Sequence, residues 1–237
     1  MTPQEFAKLF TEYFGEKVHL PMCLLYSEKP LGRINDVPGC MFKQFHHVFN
    51  GETVTFSDEK FTCGGGKLYC GLGPTPERVY GFVSQIEKYK STPDVAKASI
   101  SMIDAKLSDK PYLNFVRVDK LENFDNVEGL LFFATPDILS GLFTWANYDM
   151  DDINAVQCPW GSGCSTTITS IVNENRSNGK HCFIGMLDVS ARPFFKSDIL
   201  RFSIPMSRFS IMQKTLSECC VSGSPAWNKL KKRIDHV

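Results

Sequence analysis

The sequence predicts an α+β (or α/β) fold, a mixed β-sheet layered with helices and forming one compact domain over residues 1–237. Three observations predict it. Apolar runs of strand length, above all residues 129–134, alternate with stretches of helical periodicity. Strand, proline-bearing turn and helix follow one another twice, at 129–145 and at 200–220. A chain of 237 residues is also long enough to bury a sizeable core.

Composition removes several function classes. Apolar residues make up 43% and charged residues 22%, as in ordinary soluble proteins. The 26 basic residues balance 26 acidic ones, so nothing recommends a nucleic-acid backbone or an anionic membrane as partner. The basic cluster 229–233 reads as a solvated helix end. The opening residues lack the basic and apolar parts of a signal peptide, and no apolar run approaches the roughly 18 residues of a membrane span. Nine cysteines without an export signal point to a reducing, cytoplasmic setting. There thiols are buried, metal-binding or reactive more often than disulfide-bonded. The partners expected are a small molecule or a metal, with homo-oligomerisation left open.

In the first half, residues 5–16 place Phe6, Leu9, Phe10, Tyr13 and Phe14 on one helical face, read as core packing. A strand at 18–26, a loop at 32–38, a helix at 40–49 and an extended segment at 54–56 follow. His46 and His47 point about 100° apart on that helix and read as one packed and one exposed imidazole rather than joint ligands. Cys63, followed by Gly64, Gly65 and Gly66, lies seven residues before Cys70. On a helix the two share a face but stand two turns apart, too far for one small ion. The segment lacks the ending of a phosphate-binding loop. Helices are expected at 77–89 and 93–107, and a strand at 111–118. In the second half, a strand at 153–157, a helix at 165–175 and a strand at 181–187 lie between the two strand–turn–helix units. The units are either an internal repeat or one junction chemistry used twice. Cys219 and Cys220, adjacent and therefore poor joint ligands, read as packing residues.

Chemistry concentrates at Cys158-Pro159-Trp160-Gly161-Ser162-Gly163-Cys164-Ser165, between a strand and a helix. Cys158 and Cys164 could supply thiolates to a metal or iron–sulfur centre, although five intervening residues are looser than the usual tight pairs. Cys164 could instead be a nucleophile whose pKa is lowered by the helix start. Gly161, Gly163, Ser165 and the neighbouring amides could cradle a carboxylate or phosphate. An ordinary glycine turn with buried thiols is the remaining reading. Further on, Asp188 and Arg192 lie at a strand exit, where they either face a ligand or pair with each other.

The order of these features resembles the ArCR proteins, the family known as domain of unknown function 169. The resemblance rests on Cys40 opening a helix, Cys63 with three glycines leading to Leu72-Gly73, and Leu131-Phe132-Phe133-Ala134-Thr135-Pro136. It continues through Gly163-Cys164-Ser165, Ser190-Ala191-Arg192 and Ile204-Pro205, and spans residues 18–220. It brings no assigned activity. It implies recurrent positions at Cys40, Cys63, Cys164 and Arg192, and many members place a cysteine near the position of Asp188. The expectation is therefore an iron–sulfur cluster or a single transition metal held by Cys40, Cys63 and Cys164. Cys158 or Asp188 would be the fourth ligand, and Arg192 would balance charge. Two other expectations stand beside it: a small-anion pocket built from residues 161–167 and Arg192, and a thiol enzyme using Cys164.

Overall fold

The long apolar run near the middle of the chain becomes β5 (Val127–Ala134), a strand buried along almost its whole length inside an eight-stranded sheet. The structure is a computed structural model and describes residues 1–236. The other strands are β1 (Met22–Ser27), β2 (Arg33–Ile34), β3 (Val54–Ser57), β4 (Tyr112–Arg117), β6 (Val156–Gln157), β7 (Cys182–Gly185) and β8 (Leu200–Pro205). Their spatial order is β2-β3-β4-β1-β5-β8-β7-β6. Pairing is antiparallel through the centre and parallel only in the two outermost pairs, β2–β3 and β6–β7. Each edge strand is two residues long, which leaves little unpaired backbone for another chain to extend.

Alternation along β5 sends Leu130 and Phe132 into one core and Leu131 and Phe133 into the other. Over the first face pack α1 (Pro3–Phe14), α6 (Pro136–Asn147), α8 (Met206–Met212) and α9 (Pro225–His236), which surround Phe6, Phe10, Trp145 and Phe209. The second face carries a 3-10 turn (Met41–Gln44), α2 (Phe45–Phe49), α3 (Gly64–Tyr69), α4 (Val79–Gly81), α5 (Pro93–Ile103) and α7 (Ser170–Arg176). α7 is preceded without a break by a π-helical segment (Ser165–Thr169), so one helix runs over 163–176. This is the expected α+β arrangement, a mixed sheet covered by helices on both faces. Among the described residues no helix is long and apolar enough to cross a membrane.

Several boundaries differ from the sequence reading for local reasons. The helix expected at 40–49 begins as the 3-10 turn, with Cys40 as its N-cap. The one expected at 77–89 is α4 followed by a π-helical turn (Phe82–Ile86). α5 stops at Ile103 because Asp104 takes a left-handed conformation (φ 53°). α8 ends at Met212, well before the expected residue 220, because the Met212 carbonyl accepts from Trp145 Nε1 (3.0 Å) and Thr215 Oγ1 (2.9 Å). The two strand–turn–helix units place neighbouring strands β5 and β8 side by side, with both helices on one face. Their prolines differ in role: Pro136 begins a helix and Pro205 ends a strand.

α1 has every part of a helix start: Thr2 as N-cap, Pro3 in the first turn, and a capping box in which Glu5 N donates to Thr2 Oγ1 and Thr2 N to Glu5 Oε2. Thr2→Ala is expected to lower stability by about 1 kcal/mol in urea denaturation. A shift in midpoint within error would show that the packing of Phe6, Phe10 and Phe14 alone holds α1 in place.

Candidate functional site

Three of the sequence-predicted cysteines come from distant segments into one region of the second helical layer, each at the start of a helical segment. Cys40 is the N-cap of the 3-10 turn, Cys63 is the N-cap of α3, and Cys164 is the second residue of the 163–176 helix. Cys63 Sγ accepts from Gly66 N at 3.3 Å. Cys40 and Cys63 are half-buried and Cys164 is 8% exposed. Helix starts carry partial positive charge, the one feature of these positions that favours an anion.

Gly163 explains how these segments meet. A Cβ at this position would come within 2.7 Å of the Phe42 ring and 2.8 Å of Ala191 Cβ. Only glycine lets the helix start approach both the Cys40 turn and the strap that follows β7. That strap leaves β7 through Met186, whose φ of 71° is uncommon for a bulky residue. The chain then turns Asp188 back onto the helix, where its Oδ2 accepts from Gly163 N at 2.7 Å and its Oδ1 from Ser190 N at 3.0 Å. Ser162 caps the same helix through its hydroxyl, accepting from Ser165 N at 3.2 Å.

The electrostatics are those of several potential anions crowded together. Burial pushes the Cys164 thiol well above its ordinary range, and Cys70, Cys40, Cys63 and Asp188 push it further. Burial also raises Cys40, opposed by the Phe42 backbone and reinforced by Cys63 and Asp188. The lowering expected for a Cys164 nucleophile is therefore reversed, because desolvation and negative neighbours outweigh the helix start. Nor is His181 a partner for it: His181 Nδ1 lies 2.8 Å from Glu174 Oε1 and Nε2 lies 3.4 Å from Asp152.

The remaining candidates lie apart from this group. Cys158 is exposed on the loop after β6, near enough to Arg201 to act on its charge. Arg192 and Asp188 do not pair. The Arg192 guanidinium donates to the carbonyls of Ile199, Lys196 and Ser197, the last two at 3.1 and 2.7 Å, and so ties down its own loop. The anion at the 161–167 turn is the chain's own Asp188. Among the described residues no three His, Cys, Asp or Glu side chains converge closely enough to hold one metal ion. Two open grooves of about 450 and 380 Å³, both lined by Leu107, Asp109 and Lys110, touch none of these residues.

The family described as uncharacterised ArCR matches residues 16–214. The chain belongs to that family. Comparison with curated proteins and with solved structures finds no match. In this ArCR protein the sequence reading set Cys70 aside and missed Tyr69, Tyr89 and Arg201. Cys70 lies among the thiols, its Sγ donating to Met41 Sδ at 3.7 Å. Tyr69 is buried beside Cys164 and Asp188, and its pKa is pushed up to about 12, chiefly by burial. Tyr89 is close to Ser190 and Asp188. Arg201 is fully buried in β8. The spacing of Cys63 and Cys70 was the available signal for the first. Tyr69, Tyr89 and Arg201 carry no local pattern. A π-helical segment directly follows Cys164, and such segments are frequent at functional sites.

Proposed function

We propose that the chain binds an iron–sulfur cluster, or failing that a single soft transition metal, through Cys40, Cys63 and Cys164, with Asp188 as the fourth ligand. The observation that carries this reading is the gathering of three thiols and a carboxylate, each thiol at a helical start. Burial holds the Cys40 and Cys164 thiols in their protonated form, and a bound cation would displace those protons and stabilise the thiolates. A cluster fits better than one ion. In a four-iron cluster each thiolate binds a different iron, so the sulfurs need not converge as tightly as the roughly 2.3 Å metal–sulfur bonds of a mononuclear site demand. Asp188 is held towards this region by Gly163 and Ser190, and Tyr69 lies near enough to Cys164 and Asp188 to feel their charge. When bound, such a centre supplies one-electron transfer.

Anaerobic purification with iron, zinc and acid-labile sulfide analysis, together with visible absorption, tests the reading. The expected result is iron and sulfide in comparable amounts with broad visible charge-transfer absorption. Stoichiometric zinc without sulfide would favour the single-metal version. A colourless, metal-free protein that takes up neither iron with sulfide nor zinc would overturn both.

A further inference from the structure

Arg201 is fully buried, and its side chain points away from Phe202 and Ile204, into the layer between β7–β8 and the 163–176 helix. Its Nη1 donates to Ser203 Oγ. Nε and Nη2 have no acceptor. These two atoms form one edge of the guanidinium, the edge that matches a two-oxygen acceptor. Elsewhere in this molecule that edge is always occupied when an arginine meets a carboxylate side-on. Arg117 uses it on Asp119 at 2.6 and 2.9 Å, Arg176 on Glu128 at 3.0 and 2.7 Å, and Arg233 on Asp137. Arg201 presents the same fork in the least hydrated place of all, with no carboxylate opposite it.

The surroundings suit an anion. Gly185 pairs with Arg201 across β7–β8, and a side chain there would occupy the place of the guanidinium. Thr167 Oγ1 lies on the helix that packs over β7 and is likewise buried without a partner. It provides a hydroxyl that can donate. Burial lowers the Arg201 pKa to about 9, which still leaves it cationic at neutral pH. The exposed Cys158 lies close enough to act on that charge, so the cation stands beneath the loop that follows β6. A buried cation with an empty fork is strongly unfavourable unless an anion completes it.

We propose that Arg201 and Thr167 bind a small two-oxygen anion, a carboxylate or an inorganic oxyanion, between β7–β8 and the 163–176 helix. The site is separate from the thiol region and does not depend on a metal there. Arg192, which the sequence singled out for such a role, is spent on backbone carbonyls, and Arg201 takes it over.

The test uses the full chain exchanged into chloride at constant ionic strength. Formate, acetate, phosphate and sulfate are added separately, and thermal shift and calorimetric titration are recorded. The expected result is saturable stabilisation at one site per chain, absent with chloride. A response to formate or acetate identifies a carboxylate site, and one to phosphate or sulfate an oxyanion site. Arg201→Met fills the same volume without charge and should lose the response while keeping its circular dichroism. Should that variant fail to fold, Arg201→Lys and Thr167→Val decide the matter. Lysine keeps the charge but not the fork, so affinity should fall by about tenfold or more, and valine should weaken binding several-fold. No saturable response in the native chain overturns the proposal, as does native affinity in both Arg201→Lys and Thr167→Val. Metal and sulfide content should be the same in all of these variants.

Discussion

In Cys164→Ser, bound metal after anaerobic purification is expected to fall more than about tenfold below that of the native chain, with the fold retained. Changes to outer partners of metal ligands alone cost about 10- to 100-fold in affinity, so loss of a ligand should do no less. Serine is nearly the size of cysteine and Cys164 is 8% exposed, so the packing around it should survive. Cys40→Ser and Cys63→Ser should behave alike, because both thiols lie close enough to Cys164 to raise its pKa. Cys23→Ser is the control. Its thiol is fully buried against the opposite face of the sheet, in the core of Phe6 and Trp145, so metal content should not change. Native metal content in all three site variants would remove the proposed ligand set, whatever the protein's colour.

Asp149→Asn is expected to destabilise the chain by about 3 kcal/mol, the lower end of what breaking a buried ion pair costs. Arg208 is 1% exposed and donates to both Asp149 oxygens, at 3.1 Å to Oδ2, and to the Ala146 carbonyl at 2.9 Å. Without the carboxylate its charge is left in the first core with neutral acceptors only, the Ala146 carbonyl and the amide oxygen introduced. Asp149 itself is about one quarter exposed, which moderates the loss. The same pair sets an acid limb. Arg208 holds the Asp149 carboxyl below its ordinary range of about 3.8. Its contribution is therefore complete above the unfolded value and is lost as pH falls through the lower, folded one. Urea denaturation from pH 7 down to pH 2.5 should show a native midpoint that falls steeply below about pH 4, and a shallower fall in Asp149→Asn. Parallel curves would mean that other carboxylates govern the acid limb.

How much of this was legible beforehand differs between fold and site. Helix starts marked by proline were readable because their signals are local, as at Pro93 and Thr135-Pro136, although α1 begins at Pro3 rather than at residue 5. Helix ends were less so: α8 stops where Trp145, 67 residues away in the chain, takes the Met212 carbonyl. The turn at residues 158–165 looked like a two-cysteine motif, yet folding sends its two thiols to different neighbours, Cys164 to Cys40 and Cys63 and Cys158 to Arg201. Asp188 and Arg192 at a strand exit read as either facing a ligand or pairing with each other, yet one caps a helix and the other closes a loop.

The sequence by itself determined the kind of fold, because apolar periodicity and capping residues act over a few neighbours. Through its family resemblance it also marked Cys40, Cys63 and Cys164. Only the tertiary structure decided that Asp188 is held beside these thiols, that Cys70 and Tyr69 join them, and that Arg201 rather than Arg192 is the arginine with a free edge. The reason is physical: a charge is defined by what surrounds it, and the groups surrounding Arg201 and Cys164 come from strands and helices far apart in the chain. Burial turns the same thiol or guanidinium from a solvated group into one that requires a partner.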